Sequence, residues 1–467
     1  MARSSSLLRT GVLAMALLAS FLGVEALFDP FNIFGGRPES DYLDPFGGRP
    51  TKSPPPPRTE REETGAAQPN TMGLTRVPPL GEPSKASHDT MTIKVTVRDD
   101  KPDGAWTIVS DNSGVSAMHL AIMRHGRAIM FDTATTGRSL MRLRFDNCRV
   151  DPRRHKTDCW AHAVEFDYTT GAVRPLKILT DTWCSAGGFD AEGNLVQSGG
   201  YFEGDRTVRY LSPCHTCDWK EHPYSLFEGR WYATQQVLPD GRFAIFGGRR
   251  AFSFEHLPKP GMFNHQSVPL ALLRDTTDDV ENNLYPFVNL LPDGNLFIFA
   301  NDRGIIFDHR SEIVIRDIPP LPGGARNYPA SAIGVDFPTE VRVERFTPPY
   351  LDGRRHVANR PIIDPHSLPR EGMRYGAKYT FRFRTPLDPV VEADVMVTMY
   401  APPFTTHGYS MNQRLLILSV TSYIPDPQGY AITVDAPGKP ELAPPAYYLV
   451  YVLAKDVPSV AVWVKIQ

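Results

Sequence analysis

Hydrophobic positions from about residue 92 onward occur in short runs, without the 3.6-residue period of an amphipathic helix. These runs are rich in Val, Ile, Phe and Thr, and they are bounded by Gly, Pro, Asp and Asn, which is typical of β-strands. The pattern therefore predicts an all-β chain. The clearest predicted strands span residues 92–97, 117–123, 128–132, 243–247, 296–300 and 305–307.

One turn motif recurs within this β-rich region. Its glycines, Gly193, Gly241 and Gly294, are spaced 48 and 53 residues apart, and Gly-Gly pairs follow the first two turns. A period near 50 with hairpin turns and Gly-Gly strand ends is typical of kelch repeats, each of which forms one four-stranded blade. The alternative is a chance recurrence of Asp-Gly turns, which three turns in register argue against. We therefore predict a kelch-type β-propeller over residues 92–345.

The last segment, residues 346–467, is punctuated by proline and rich in strands. Six or seven short strands in about 120 residues are typical of an immunoglobulin-like β-sandwich. The segment lacks the Cys…Trp…Cys pattern of true immunoglobulin domains, so only the architecture is predicted. Its clearest strands span residues 377–383, 394–400, 414–420, 447–453 and 460–466.

The first 26 residues have the pattern of a secretory signal peptide. Arg3 and Arg9 precede an apolar run at 11–24, and Val24-Glu25-Ala26 supplies a small-x-small cleavage site. The alternative is a membrane anchor, but a run of 14 residues is too short to cross about 30 Å of hydrocarbon. No later segment reaches 18 apolar residues. The sequence predicts a secreted, extracellular protein without a membrane span.

Residues 27–91 have the composition of a disordered linker. Proline makes up 44 of the 467 residues, and this segment holds the run at 54–57, preceded by Ser53. Such a segment buries too little apolar surface to fold. Ser followed by four prolines resembles the extensin motif of plant cell-wall proteins, which implies an association with the wall. The alternative is a simple spacer.

Charge and cysteine content narrow the class of protein. The net charge is −2 and the pI is near 6.7, which argue against a large nucleic-acid-binding surface. We expect a monomer with small-molecule partners.

An odd number of cysteines leaves at least one without an intrachain disulfide partner. The five are Cys148, Cys159, Cys184, Cys214 and Cys217.

The repeat register places three side chains at equivalent positions. Cys184, Tyr232 and Tyr285 each lie nine residues before a turn glycine. In a propeller this is where the inner strands begin around the axis, so these side chains should meet at the mouth of the central channel. We predict that Tyr285 lines a substrate pocket there.

Two motifs at this register and a third near the C-terminus resemble those of a known family. The segments 182–188 (TWCSAGG), 229–234 (GRWYAT) and 403–414 (PFTTHGYSMNQR) strongly resemble plant glyoxal oxidase-like proteins. These are copper radical oxidases related to galactose oxidase, and the resemblance covers residues 92–467. It implies a seven-bladed propeller followed by a sandwich, one loop of which sends a histidine into the propeller channel.

The resemblance also implies a cofactor and a reaction. Cys184 and Tyr232 match the pair that forms a thioether-linked radical cofactor, and Tyr232 and His407 match copper ligands. Imidazole and phenolate donors suit Cu(II). The implied reaction converts small aldehydes such as glyoxal and methylglyoxal to carboxylic acids while O2 is reduced to H2O2. The implied disulfides are Cys148–Cys159 and Cys214–Cys217.

One departure from the family puts activity in doubt. The family carries an adjacent Tyr-His pair as axial ligand and second imidazole, and no Tyr-His dipeptide occurs in this sequence. Tyr328 cannot replace this pair, because Pro329 follows it where the family has His. A minor alternative is that Tyr285 reaches the axial site. Residues 92–350 suffice for about five blades, whereas seven need about 350 residues. We predict a break near residue 332, at least two missing blades and a poor or inactive oxidase.

Other classes of function remain as alternatives. A catalytically dead, secreted propeller that acts as an extracellular or cell-wall binding module needs neither copper nor a tyrosyl radical. A sialidase-like hydrolase needs a cluster of arginines that the spacing does not show. A redox role for Cys214-His215-Thr216-Cys217 is disfavoured because the motif follows a strand and tight turns and does not open a helix.

Overall fold

The computed structural model describes residues 104–135, 137–151, 155–328, 341–351, 358–387 and 389–467. The predicted signal peptide, the linker, the strand at 92–97 and the break near residue 332 lie outside the described residues. Antiparallel strands dominate the described part, and its α-helix α1 (Ala271–Asp275) is a single turn and a half. None of its helices is long and apolar enough to cross a membrane. Short 3₁₀ turns span Phe145–Asn147, Phe202–Gly204, Pro349–Leu351, Pro365–Ser367 and Glu392–Asp394.

Four antiparallel sheets follow one another in chain order, each with at least four strands. A separate strand, β1 (Ala105–Ser110), precedes them. The first sheet contains β2 (His119–Met123), β3 (Arg127–Phe131), β6 (Ala163–Phe166) and β7 (Val173–Leu176), with the ribbon of β4 (Arg149–Asp151) and β5 (Lys156–Asp158) inserted after β3. The second contains β8 (Ala186–Phe189), β9 (Leu195–Ser198), β10 (Val208–Leu211) and β11 (Lys220–His222). The third contains β12 (Thr234–Val237), β13 (Phe243–Phe246), β14 (Ser253–His256) and β15 (Val268–Pro269), and the fourth β16 (Phe287–Leu290), β17 (Leu296–Ala300), β18 (Arg303–Asp308) and β19 (Ile313–Ile318).

The recurring turn joins the first two strands of the second, third and fourth sheets. Gly193, Gly241 and Gly294 all have φ between 79° and 89°, a left-handed conformation that glycine adopts without a Cβ clash. An Asp side chain also caps each turn, as when Asp293 Oδ1 accepts a hydrogen bond from the Asn295 backbone N–H at 3.0 Å. The turn chemistry thus sets the register of each sheet.

The sheets stack face to face with their first strands side by side. Strand β12 lies between β8 and β16. One buried cluster joins Leu195 to Phe243 across the second and third sheets, and another joins Phe246 to Ile298 across the third and fourth. Burial of these apolar faces stabilises the stack. The arrangement is that of the predicted propeller, with four full blades.

The remaining strands form a fifth small sheet, a hairpin and the C-terminal domain. They are β20 (Val343–Thr347), β21 (Ile362–Ile363), β22 (Lys378–Arg384), β23 (Val395–Ala401), β24 (Phe404–Thr406), β25 (Tyr409–Met411), β26 (Arg414–Leu418), β27 (Val420–Asp426), β28 (Gly429–Asp435), β29 (Ala446–Ala454), β30 (Val457–Pro458) and β31 (Val462–Ile466). Strand β20 spans the predicted domain boundary and pairs with β1. The estimate of about five blades therefore corresponds to four full sheets and one two-stranded sheet.

The C-terminal strands form the predicted β-sandwich. One sheet has the order β21-β22-β28-β27, and the other contains β26, β23, β29, β30 and β31. Strand β29 alternates strictly between buried and half-buried residues, as expected for a strand with one face on the core. The core between the sheets includes Phe381, Met399, Val434 and Val450.

A hairpin from this C-terminal region belongs to a propeller sheet. Strand β24 pairs with β2, so that the first sheet has the order β25-β24-β2-β3-β6-β7. The hairpin also lies against β8 and β12. It therefore occupies the centre of the propeller, beside the inner strands of three sheets.

Candidate active site

The three side chains at the predicted equivalent positions are neighbours in the structure. Cys184, Tyr232 and Tyr285 each lie two residues before the first residue of β8, β12 or β16. The Tyr232 N–H donates to the Cys184 carbonyl at 3.0 Å, and the Tyr285 N–H donates to the Tyr232 carbonyl at 2.9 Å. All three have left-handed backbones, with φ of 53°, 64° and 45°. Such conformations are costly for non-glycine residues and are concentrated at functional sites.

His407 reaches this group from the central hairpin. It occupies the turn between β24 and β25, with φ of 52°. Its Nδ1 is hydrogen-bonded to Thr406 Oγ1 at 2.6 Å, and its Nε2 lies 3.2 Å from Cys184 Sγ. The ring centroid of Tyr232 lies 6.0 Å from that of His407. The structure therefore brings together Cys184, Tyr232 and His407, which the sequence analysis assigned to one centre.

Tyr328 belongs to the same group, and sequence reasoning missed this placement. Its ring centroid lies 5.5 Å from that of His407 and 5.9 Å from that of Tyr232. The nine-residue register gave no signal for it, because position 337 is Phe where the other repeats have Gly. The ring of Tyr285 lies equally close to His407, at 5.3 Å.

Two tryptophans extend the site outward. Trp231 packs on Tyr232 with ring centroids 4.9 Å apart, and Trp183 packs on Trp231 at 5.2 Å. The Arg249 guanidinium lies 5.4 Å from the Trp231 ring centroid. The sequence held a signal for this pair, because each tryptophan directly precedes a residue of the equivalent set, Cys184 or Tyr232. Tyr232 itself is half-buried.

Burial keeps the site uncharged in the absence of a metal. It raises the pKa of the Cys184 thiol and of the Tyr232 phenol far above their ordinary values. It lowers the pKa of His407 to about 4. At neutral pH the imidazole is therefore the neutral, ligating form. A phenolate forms here only if a cation compensates for the lost solvation.

The donor set around His407 fits copper only in part. Tyr232 and His407 supply a phenol and an imidazole. The nearest further imidazole is His119, whose Nδ1 lies 3.3 Å from the Phe131 carbonyl and whose Nε2 lies 3.2 Å from Ser185 Oγ, so both nitrogens are engaged. The Tyr285 hydroxyl is also engaged, because it donates to the Ser185 carbonyl at 3.1 Å. The structure thus brings together the two predicted copper ligands, Tyr232 and His407, and the phenol of Tyr328 lies beside them.

A buried ion pair holds the segment that carries Tyr232. Arg230 is fully buried and pairs with Glu255, with 2.7 Å between Nη2 and Oε1. The same guanidinium donates to the Gly247 and Ser253 carbonyls at 2.9 and 3.0 Å. Gly199 lies against this segment, and a Cβ added to it would come within 2.1 Å of the Arg230 carbonyl oxygen.

Both disulfides implied by the resemblance are confirmed. Cys148 bonds to Cys159 and Cys214 bonds to Cys217. Cys184 is free and buried, so it is the cysteine that the odd count leaves without a disulfide partner. The Cys214–Cys217 bridge lies in the loop between β10 and β11 and does not open a helix, which agrees with a structural bond.

Comparisons with known proteins agree with this architecture. The family described as Glyoxal oxidase N-terminus matches residues 118–335, and that described as Galactose oxidase-like, Early set domain matches residues 360–466. Aldehyde oxidase GLOX1 of Arabidopsis thaliana is 32% identical over 78% of this chain and 84% of its own length. Aldehyde oxidase GLOX of Vitis pseudoreticulata is 31% identical over 78% of this chain and 97% of its own length. A solved fungal alcohol oxidase of the AA5 family, in complex with copper, aligns at 15% identity with a TM-score of 0.48 over 78% of this chain and all of that chain.

The alignment with the Arabidopsis relative contains gaps in this chain. It covers 524 positions, whereas 78% of 467 residues is about 364, so about 160 positions hold a residue of the relative opposite a gap. The loss of at least two blades stays a prediction.

Proposed function

Because the chain belongs to the glyoxal oxidase family of copper radical oxidases, we propose that it is a secreted oxidase of small aldehydes. One aldehyde, one O2 and one water would yield one carboxylic acid and one H2O2. The observation that carries this proposal is the meeting of Cys184, Tyr232 and His407 at the propeller centre. Glyoxal and methylglyoxal are the proposed substrates.

We further propose that Cys184 and Tyr232 form a thioether. The new bond joins Sγ to a ring carbon of the tyrosine, and the thiol hydrogen and one ring hydrogen are lost with two electrons to O2, which becomes H2O2. A thioether substituent makes the phenol easier to oxidise to a radical. Trp231, which packs on the Tyr232 ring, would exclude water from it.

Tyr232 and His407 would hold copper, whose contribution when bound is to accept one electron and act as a Lewis acid. The Tyr-His pair that supplies two further donors in the family, and whose tyrosine accepts the substrate's proton, is absent from the sequence. We therefore propose that this chain as it stands binds copper weakly and turns over slowly. Loss of a general base alone typically costs a factor of about 10² to 10⁴ in rate.

The test compares this chain with a family member that carries the Tyr-His pair. Both are expressed in full, loaded with copper and assayed for bound copper and for H2O2 release with methylglyoxal. We expect the turnover of this chain to be at least about 100-fold lower than that of the relative. Full copper occupancy together with equal turnover would show that the missing donors are not needed.

The absence of a Tyr-His dipeptide favours a second candidate function, a secreted non-catalytic propeller. Such a module would show no tyrosyl radical signal after copper loading and oxidation. Sequencing of the native transcript across codons 327–338 separates the two candidates further. An additional blade-sized stretch with a Tyr-His pair supports the oxidase, and a continuous transcript supports the non-catalytic module.

A further inference from the structure

A cluster of two histidines and one glutamate lies apart from the candidate active site. One donor atom from each of His125, Glu165 and His215 lies within 4.8 Å of the others. His125 lies in the turn between β2 and β3, Glu165 on β6, and His215 in the loop after β10. Two neighbouring sheets thus contribute to the cluster. Two imidazoles and a carboxylate are donors that suit Zn²⁺ and Cu²⁺.

The hydrogen bonding of His125 leaves one nitrogen available. Its Nε2 lies 2.6 Å from Glu165 Oε1. Its side chain is only 10% exposed, and its Nδ1 is buried without a hydrogen-bond partner among the described residues. A histidine that donates one ring N–H to a carboxylate and presents the other nitrogen's lone pair is the arrangement found around protein-bound metals.

His215 is the exposed member of the cluster, and its position is constrained. Its ring centroid lies 5.2 Å from that of His125. The flanking disulfide Cys214–Cys217 closes the turn that carries it. The same turn is tied to the neighbouring sheet, because Arg174 Nη1 donates to the Cys217 carbonyl at 2.8 Å. The second imidazole is therefore held near the first before any ion arrives.

The charges around the cluster permit a cation. Arg174 pairs with Glu165 through Oε2, which leaves Oε1 to His125. Arg127, the other nearby cation, pairs with Asp167 at 3.0 Å. Each of these two arginines is thus paired with a carboxylate.

We propose that His125, Glu165 and His215 form a second metal site, which binds Zn²⁺ or Cu²⁺ independently of the centre at His407. His125 and His215 provide the imidazole ligands. Glu165 fixes the ring orientation of His125 and supplies negative charge. The site takes no part in the proposed aldehyde oxidation.

The full chain is titrated with Zn²⁺ alone in a calorimeter, together with two variants. His215→Ala removes the exposed ligand, and His265→Ala removes an exposed histidine outside the cluster as the matched control. We expect His215→Ala to bind one Zn²⁺ fewer than the control, or to bind it at least roughly tenfold more weakly. Equal stoichiometry and affinity in the two variants would exclude Zn²⁺ as the ion of this site.

The same titration with Cu²⁺ identifies the preferred ion. Besides any signal from copper at His407, which both variants share, the electron paramagnetic resonance spectrum of the control should contain a second nitrogen-coordinated Cu(II) signal that is absent from His215→Ala. Loss of this signal with unchanged Zn²⁺ binding would assign the site to copper. If neither metal distinguishes His215→Ala from the control, no metal site exists here. A failure of aldehyde oxidation leaves these outcomes unaffected, because the readout is metal binding.

Discussion

The Sγ atom of Cys184 lies 3.2 Å from Nε2 of His407, although the two residues are 223 positions apart in the chain. Cys184 precedes the first strand of the second sheet, whereas His407 occupies the turn of the central hairpin. The thiol therefore lies against the nitrogen that the proposed copper centre needs. Bonding of this sulfur to the Tyr232 ring would remove its hydrogen and release His407 Nε2 for metal binding.

The proposed thioether can be tested by measuring whether Cys184 still carries a free thiol. Burial raises the pKa of the thiol, so we expect no reaction with a thiol reagent in the native chain. The denatured, copper-free chain should show one reactive thiol, since the other four cysteines form disulfides. After incubation with copper and air, the denatured chain should show none, with a mass loss of two hydrogen atoms.

The control for this experiment is Tyr232→Phe, which should keep its thiol after the same treatment. A thiol that persists in the copper-treated original chain would exclude the thioether. Loss of the thiol in Tyr232→Phe as well would point to ordinary cysteine oxidation.

Removal of the Arg230 partner should destabilise the fold. Glu255→Ala leaves the fully buried guanidinium without its carboxylate, which typically costs about 3–5 kcal/mol. Lys378→Ala, which breaks an exposed ion pair with Asp435, should change the free energy of unfolding by less than about 1 kcal/mol. Chemical denaturation monitored by tryptophan fluorescence measures both. Equal small effects would mean that the Arg230–Glu255 pair contributes little.

Gly199 offers a test of how closely neighbouring sheets pack. In Gly199→Ala, the new Cβ would meet the Arg230 carbonyl oxygen at 2.1 Å, and φ is 74°. Gly261 has a similar φ of 81°, but nothing lies within 4 Å of its added Cβ. Gly199→Ala should therefore cost about 1–3 kcal/mol more than Gly261→Ala. Similar unfolding midpoints would show that the Arg230 segment moves freely.

His162 should make stability depend on pH above neutrality. Burial opposes its charged form, but hydrogen bonding to Asp132 at 2.9 Å and to Asp158 outweighs it and raises the pKa to about 9. A raised folded-state pKa gives stability that is complete below the unfolded value of about 6.5 and is lost as the pH rises through 9. A shift of this size corresponds to roughly 3 kcal/mol.

The free energy of unfolding, measured by denaturation at pH 6.5, 8 and 9.5, should therefore fall across this range. His162→Gln should have a flatter profile, whatever its stability at pH 6.5. The half-buried histidines His125 and His256 have lowered pKa values and are neutral in the folded state across this window. Because the unfolded chain still binds protons near pH 6.5, they add a small contribution of opposite sign at the low end of the range, which the comparison with His162→Gln cancels. An unchanged slope in His162→Gln would assign the pH dependence to other groups.

The periodic part of the fold could be predicted from local chemistry. The Asp-Gly turn needs a left-handed glycine at one position, so Gly193, Gly241 and Gly294 marked the sheets. The same register then placed Cys184 beside Tyr232, because the residues before equivalent inner strands are neighbours around an axis. The predicted strand at 296–300 coincides with β17.

The remaining contacts depend on tertiary packing that no local pattern encodes. Strand β1 pairs with β20 more than 230 residues later, and neither sequence specifies the other. Tyr328 approaches His407 from a segment without the repeated turn. The hydrogen bonds of both His119 nitrogens could not be predicted either. Their partners, Phe131 in β3 and Ser185 directly before β8, belong to two different parts of the chain.

The pairing of the central hairpin with β2 has a consequence for biosynthesis. Phe404 is the register partner of Ala121, 283 residues earlier in the chain. At about 5–20 residues per second, a ribosome needs roughly 15–60 s to extend the chain from one to the other. During that time the inner edge of β2 has no partner strand, and the nascent sheets are open to wrong pairing. Completion of the centre thus waits for the last quarter of translation.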